Sequence, residues 1–288
     1  MNHFITPSSI IKPKTKDLGD GFTVRRALPV IGNRMVGPFV FWDHMGPVKL
    51  EGDQKLVVRS HPHIGLSTIT YLFSGEILHR DSLGNEQYIK PGEVNWMTAG
   101  RGIAHSERAE NTELEGIQLW VGLPPENEEE DPSFVHKKEA ELPIVNIGSV
   151  MFRLIAGVWN DTKSPLPVFS DLFYLCGDLK DGQTVEVDIP RDQHMGIYVA
   201  SGNVHCTGSE VGAYDLAIFR DNGKIEVKAS KPTKLMLFGG KPFQKEPELW
   251  WNFVSSDKER LEKAKDDWKN GRFPSVINET DFIPLPDK

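Results

Sequence analysis

Short apolar runs closed by glycine or proline constrain this chain more than any other feature. "GPFVFWDHMGP", "STITYLFSG", "EVNWMTAG" and "GIQLWVGLPP" succeed one another between Gly37 and Pro125. Each is too short for a packed helix, and β-branched and aromatic residues dominate. The 26 glycines and 20 prolines of the 288 residues punctuate such runs throughout, the texture of short strands joined by tight turns. The expected class is all-β, a barrel or sandwich.

An acidic stretch, "ENEEEDPSF" from Glu126 to Phe134, breaks the pattern before a second series begins near Met151 with "FYLCGDL", "QTVEVDI", "MGIYVASGNV" and "TKLMLFGGKPF". Two β domains of similar size are expected, 1–125 and 151–245, with 126–150 as an acidic linker region and 246–288 as a terminal segment. Only "SSDKERLEKAKDDWKNGRF" reads as helix, about 256–270, with Ser256 and Glu259 as a capping box and Leu261, Ala264 and Trp268 on one stripe.

The charge balance, 33 Lys+Arg against 41 Asp+Glu for a net −8, comes with no basic block, so direct nucleic-acid binding is not expected. The N-terminus lacks a signal-peptide core, and no apolar run approaches the roughly 20 residues that span a bilayer. A cytoplasmic protein without a membrane partner is expected, with Cys176 and Cys206 as reduced thiols.

The chemistry concentrates in "RSHPHIGLSTITYLFSGE", where His61 and His63 stand one residue apart, and in "AGRGIAHSERAEN", where His105 and Glu107 repeat the spacing. On a strand, residues i and i+2 project from one face about 6.6 Å apart. Two such pairs on neighbouring strands can converge, offering three imidazoles and a carboxylate. That set suits one divalent first-row metal: Fe(II) first, with Mn, Ni, Cu or Co also possible, and Zn more often closed at four ligands. The plainer reading makes both pairs solvated polar residues. Pro62, which cannot donate to a ladder, and the glycines bracketing both pairs weigh against it.

At these residues the sequence resembles the cupin superfamily: His61, His63 and Gly75 match its first motif, and Gly102-Ile103-Ala104-His105 its second. The usual carboxylate position of the first motif falls on Thr68. Glu107 takes over, and with "HPHIG", "WMTAGRGIAHSE" and "QLWV" the chain looks like the pirin family, its tail similar to the bacterial members. The resemblance implies two tandem jelly-roll-type cupin barrels with a C-terminal α-helix, and iron in the first barrel at His61, His63, His105 and Glu107. It also implies one of two activities: a quercetin-type dioxygenase acting on a flavonol or related aromatic enol or catechol with O2, or a redox-sensitive regulator that binds a protein partner in transcription or metabolism.

The enzyme reading is favoured here because a metal with free positions accounts for more of these residues, with Glu107 as the catalytic proton acceptor. Candidate substrate contacts are Phe41, Asp43, Thr68, Phe73 and Gln118. His44, beside Asp43, is placed at the end of its strand, Arg59 and Arg101 are read as solvated, and His3, His79 and His136 are given no role. Aligning "FSG" at Phe73–Gly75 with "ASG" at Ala200–Gly202 puts Asp188 and Pro190 where a second barrel would need histidines, so one metal per chain is expected.

Overall fold

The computed structural model describes residues 3–18 and 22–287. Through the first half run β1 (Ser9–Ile11), β2 (Lys14–Asp17), β3 (Thr23–Leu28), β4 (Phe39–Leu50), β5 (Leu56–His63) and β6 (Leu66–Ser74). Then come β7 (Ile77–Asp81), β8 (Glu86–Ile89), β9 (Val94–Thr98), β10 (Ile103–Ala109), β11 (Thr112–Gly122) and β12 (Ser133–Lys137). Thirteen further strands follow, and the one α-helix among the described residues is α1, Lys258–Lys269. No helix there is long and apolar enough to cross a membrane.

The chain forms two compact units, each built from interleaved segments. One comprises Met1–Thr15, Arg25–His44 and Ala140–Phe243; the other comprises Lys16–Val24, Met45–Glu139 and Gln244–Lys288. These differ from the contiguous blocks read from the sequence because pairing, not chain order, decides what packs together. Thus β1 pairs with Leu216–Phe219, Ser9 opposite Ile218. The acidic region contains one of the passages of the chain between units, at Glu139/Ala140, yet it is built into sheets: β12 pairs with β9, and Ile144–Ile147 with Val150–Trp159.

In the first unit the interior is filled by apolar side chains, among them Phe152, Phe173, Ile197, Phe219 and Leu237. Alternation turns Val185 and Val187 into that cluster and leaves Asp188 exposed. Cys176 and Cys206 are buried free thiols, and burial pushes the Cys206 thiol up to about 12.

The second unit stacks the sheet β5-β10-β7-β8 with the sheet β12-β9-β6-β11-β4-β3-β2. One end of its interior is an apolar plug that includes Leu56 of β5, Leu72 of β6, Ile77 of β7, Ala109 of β10 and Leu114 of β11. Each of the larger side chains contributes about 1.5–3 kcal/mol by leaving water. Stepping by two along the same strand faces leads out of the plug into polar residues: Leu72 to Thr70 and Thr68, Ala109 to Glu107 and His105. The plug anchors the strands; the polar end is free for chemistry.

The terminal segment closes this unit. Asp257 caps α1 by accepting from Glu259 N at 2.9 Å, so the expected Ser256 box shifts by one residue. Ser256 N instead donates to Glu128 Oε1 at 2.7 Å. Leu261 and Ala264 bury against Ile64 and Phe253, with Trp268 packed beside them. Glu279 is gripped by Arg80, Arg108 and Ser106. Gly65 turns at φ +66, where an added Cβ would lie 2.0 Å from Val254 O. Gly65→Ala is expected to cost at least about 2 kcal/mol, combining left-handed strain with backbone overlap. A urea midpoint equal to wild type would contradict this packing.

Candidate metal centre

β5 and β10 run antiparallel with His61 opposite His105 and His63 opposite Ile103. Ring centroids of His61, His63 and His105 lie 4.4 to 5.1 Å apart. One nitrogen from each ring falls within 4.8 Å of the others, and all three residues are buried. Among the described residues no other group of three metal-ligating side chains converges in this way.

The hydrogen bonds orient the rings. His61 Nδ1 donates to Arg59 O at 2.8 Å, and His63 Nδ1 donates to Asn252 O at 3.1 Å. A carbonyl only accepts, so both Nδ1 atoms carry hydrogen and both Nε2 atoms present lone pairs. His63 Nε2 and His105 Nε2 face each other at 3.1 Å, while His105 Nδ1 is buried with no partner among the described residues. Burial pushes His61 down to about 4, against the Arg59 carbonyl and with help from His79. Burial likewise holds His63 and His105 well below the usual imidazole value, each lowered further by neighbouring histidines. Three buried imidazoles held below their usual pKa, two of them with Nε2 lone pairs turned toward the third ring, make a site compatible with a divalent cation.

Glu107 follows a bulge that lets β10 slip against β5, so that it stands opposite Val58, and opposite His79 on β7. Its carboxylate lies outside the 4.8 Å group. Thr70 Oγ1 reaches Glu107 Oε1 at 3.3 Å and Gln118 Oε1 at 2.7 Å; with one hydrogen, that hydroxyl donates to one of them at a time. Burial raises the Glu107 carboxyl above its usual range, opposed by His79 and Thr70.

His79 is the residue sequence reasoning passed over. It is buried, stacks on Phe134 at 4.4 Å and 17°, and lies 5.2 Å from the His105 ring. His79 Nε2 donates to Asp81 Oδ2 at 3.1 Å. Burial alone would raise the Asp81 carboxyl, but hydrogen bonds from His79 and Asn85 outweigh it and hold it low. "ILHRD" carries the same i, i+2 spacing that singled out His105 and Glu107, so the signal was present. The Asn252 carbonyl had no signal, being main chain 189 residues from its partner.

The proposed substrate residues separate. Thr68 pairs with Trp120, whose ring meets His63 at 5.0 Å, and Gln118 pairs with Thr70, so Thr68 and Gln118 share the histidine unit. Phe73 falls at a register shift, and its ring turns to Tyr71 at 5.9 Å. Phe41 and Asp43 belong to the other unit, where Arg26 binds the Asp43 carboxylate at 2.8 and 2.7 Å and lies 4.4 Å from the Phe41 ring. Buried His44 bonds Tyr198 OH through Nδ1 at 2.9 Å. Arg59 donates to Phe282 O, Arg101 pairs with Asp131, and His205 is exposed.

Two strand-built barrels, one carrying three convergent histidines, define a two-domain cupin. The chain belongs to the pirin family: the family described as Pirin matches residues 21–121, and the Pirin C-terminal cupin domain matches 174–274. A pirin-like protein of Caulobacter vibrioides is 47% identical over 96% of this chain and 99% of its own length. The crystal structure of a quercetin 2,3-dioxygenase from Acinetobacter baumannii superposes with a TM-score of 0.90 at 33% identity, covering 97% of this chain and 96% of that one. An Escherichia coli pirin solved in complex with nickel(II) shares the fold at a TM-score of 0.65 and 21% identity, over 82% of this chain and 100% of that one.

Thr70→Val should lower stability by about 1 kcal/mol, because it removes the hydroxyl that serves both Glu107 and Gln118. An unchanged denaturation midpoint would show that this link carries no weight.

Proposed function

We propose that the chain is a metal-dependent dioxygenase of the quercetin type, cytoplasmic, holding one divalent metal, iron by preference, at His61, His63, His105 and Glu107. The observation that carries this reading is the set of three buried, neutral imidazoles whose Nε2 atoms face inward beside a buried carboxylate. Likeness to a quercetin 2,3-dioxygenase over nearly the whole chain supports the substrate class.

A bound metal would supply Lewis acidity and, as iron, redox chemistry toward dioxygen. The chain's own groups do the rest. The Arg59 and Asn252 carbonyls hold two imidazoles in the ligating tautomer. Glu107 is the base that takes the hydroxyl proton of a flavonol, and Thr70 holds its carboxylate on the interior side of β10. Trp120, edge-on to His63, gives an apolar wall for a planar ring.

Metal content of protein purified without added metal tests the ligand set. His61→Ala, His63→Ala and His105→Ala should each deplete it, while exposed His205→Ala should not. Equal retention in all four would overturn the assignment. Activity is tested by oxygen uptake and ring opening with quercetin. Glu107→Gln should lose on the order of 10²–10⁴ in turnover per bound metal if the carboxylate acts as base. Turnover per bound metal equal to wild type would remove Glu107 from the chemistry, and no oxygen uptake by the metal-loaded wild type would reject the dioxygenase reading.

A further inference from the structure

Cross-strand register aligns four polar residues on adjacent strands of the larger sheet in the histidine unit. Gln118 of β11 stands opposite Thr70 of β6, Thr70 opposite Asn95 of β9, and Asn95 opposite His136 of β12. Directly opposed residues project from the same face. Three contacts show that this face looks onto the histidines: Thr70 reaches Glu107, and in the neighbouring row Trp120 meets His63 while Phe134 stacks on His79.

Asn95 is the anomaly in that row. It is 3% exposed, and its Oδ1 accepts from His136 Nδ1 at 2.8 Å. Its Nδ2 is fully buried and has no hydrogen-bond partner among the described residues. A buried amide donor left unpaired bears its whole desolvation cost, and folded proteins rarely tolerate one without a use. Thr70, the direct neighbour of Asn95 in the row, bonds Gln118 and Glu107 instead, and no acceptor among the described residues is in hydrogen-bond reach of Asn95 Nδ2. Held by His136 from behind, the Asn95 amide is fixed in orientation before any ligand arrives.

We propose that Asn95 Nδ2 is the donor that orients the ligand of this site, and that the ligand offers it a carbonyl or enolate oxygen. The class selected is then an aromatic hydroxy-ketone, as in flavonols, rather than a simple catechol. This rests on the dioxygenase reading above and adds a specificity determinant to it: a site built to donate to a ligand oxygen discriminates against the analogue that lacks it. Asn95 positions the ligand and takes no part in proton transfer.

The test is anaerobic binding to the metal-loaded protein, read by ligand fluorescence or calorimetry, so that turnover does not enter. Quercetin is compared with a flavan-3-ol, which lacks the ring carbonyl. Asn95→Leu should weaken quercetin about tenfold, the value of one hydrogen bond, and leave the flavan-3-ol within about twofold. Asn95→Asp keeps the side-chain shape and the acceptor for His136 but lacks the donor, so it should show the same selective loss even where Asn95→Leu folds poorly. Bound metal and melting temperature on the same preparations exclude a collapsed site. Equal weakening of both ligands, or no weakening, overturns the Asn95 assignment alone. Failure of the wild type to bind either compound overturns the flavonol reading, and this inference with it.

Discussion

Two backbone carbonyls decide which way the buried imidazoles point, and the rest of the histidine unit depends on that. Arg59 O and Asn252 O each accept from an Nδ1, leaving the Nε2 atoms of His61 and His63 to face His105 across the barrel. Three imidazoles packed this closely in a desolvated interior, two of them presenting lone pairs, are a poor arrangement for stability. It is affordable because an apolar plug at the other end of the same strands, Leu56, Leu72 and Leu114 among it, holds the sheets together.

The carbonyl of Asn252 also explains why the terminal segment belongs to this unit. Phe253, Leu261 and Ala264 pack on Ile64, the residue after His63, and Ile64 pairs with Phe253. Glu279 fastens the last stretch to Arg80, Arg108 and Ser106, the residues between the inward-facing ones on β7 and β10. The polar interior is thus supported from behind by chain that lies more than a hundred residues away in sequence. Changes in that tail are felt at the histidines through backbone position rather than through contact with a ligand.

The histidine pairs could be read from sequence because a strand has a period of two, and i, i+2 spacing states a shared face without further information. The same rule applied to His79 and Asp81 identifies the pair beside His105, but no family motif drew attention to it. Asn95 and His136 were illegible for a different reason: their meaning comes from register across β6, β9 and β12, which no single strand encodes. Phe41 and Asp43 were candidate substrate contacts; the structure uses them with Arg26 in the other unit. The Ser256 cap moved to Asp257 because Glu128 captures the Ser256 amide, a long-range hydrogen bond that local pattern does not show.

We propose that one metal sits among the three inward Nε2 atoms. Anomalous diffraction at the iron edge, from crystals of iron-loaded protein, tests it most directly. A single peak is expected within about 2.0–2.3 Å of Nε2 in His61, His63 and His105, with the Glu107 carboxylate completing the set. A peak held by other residues, a second peak of equal height in the other barrel, or none at the three histidines would contradict it.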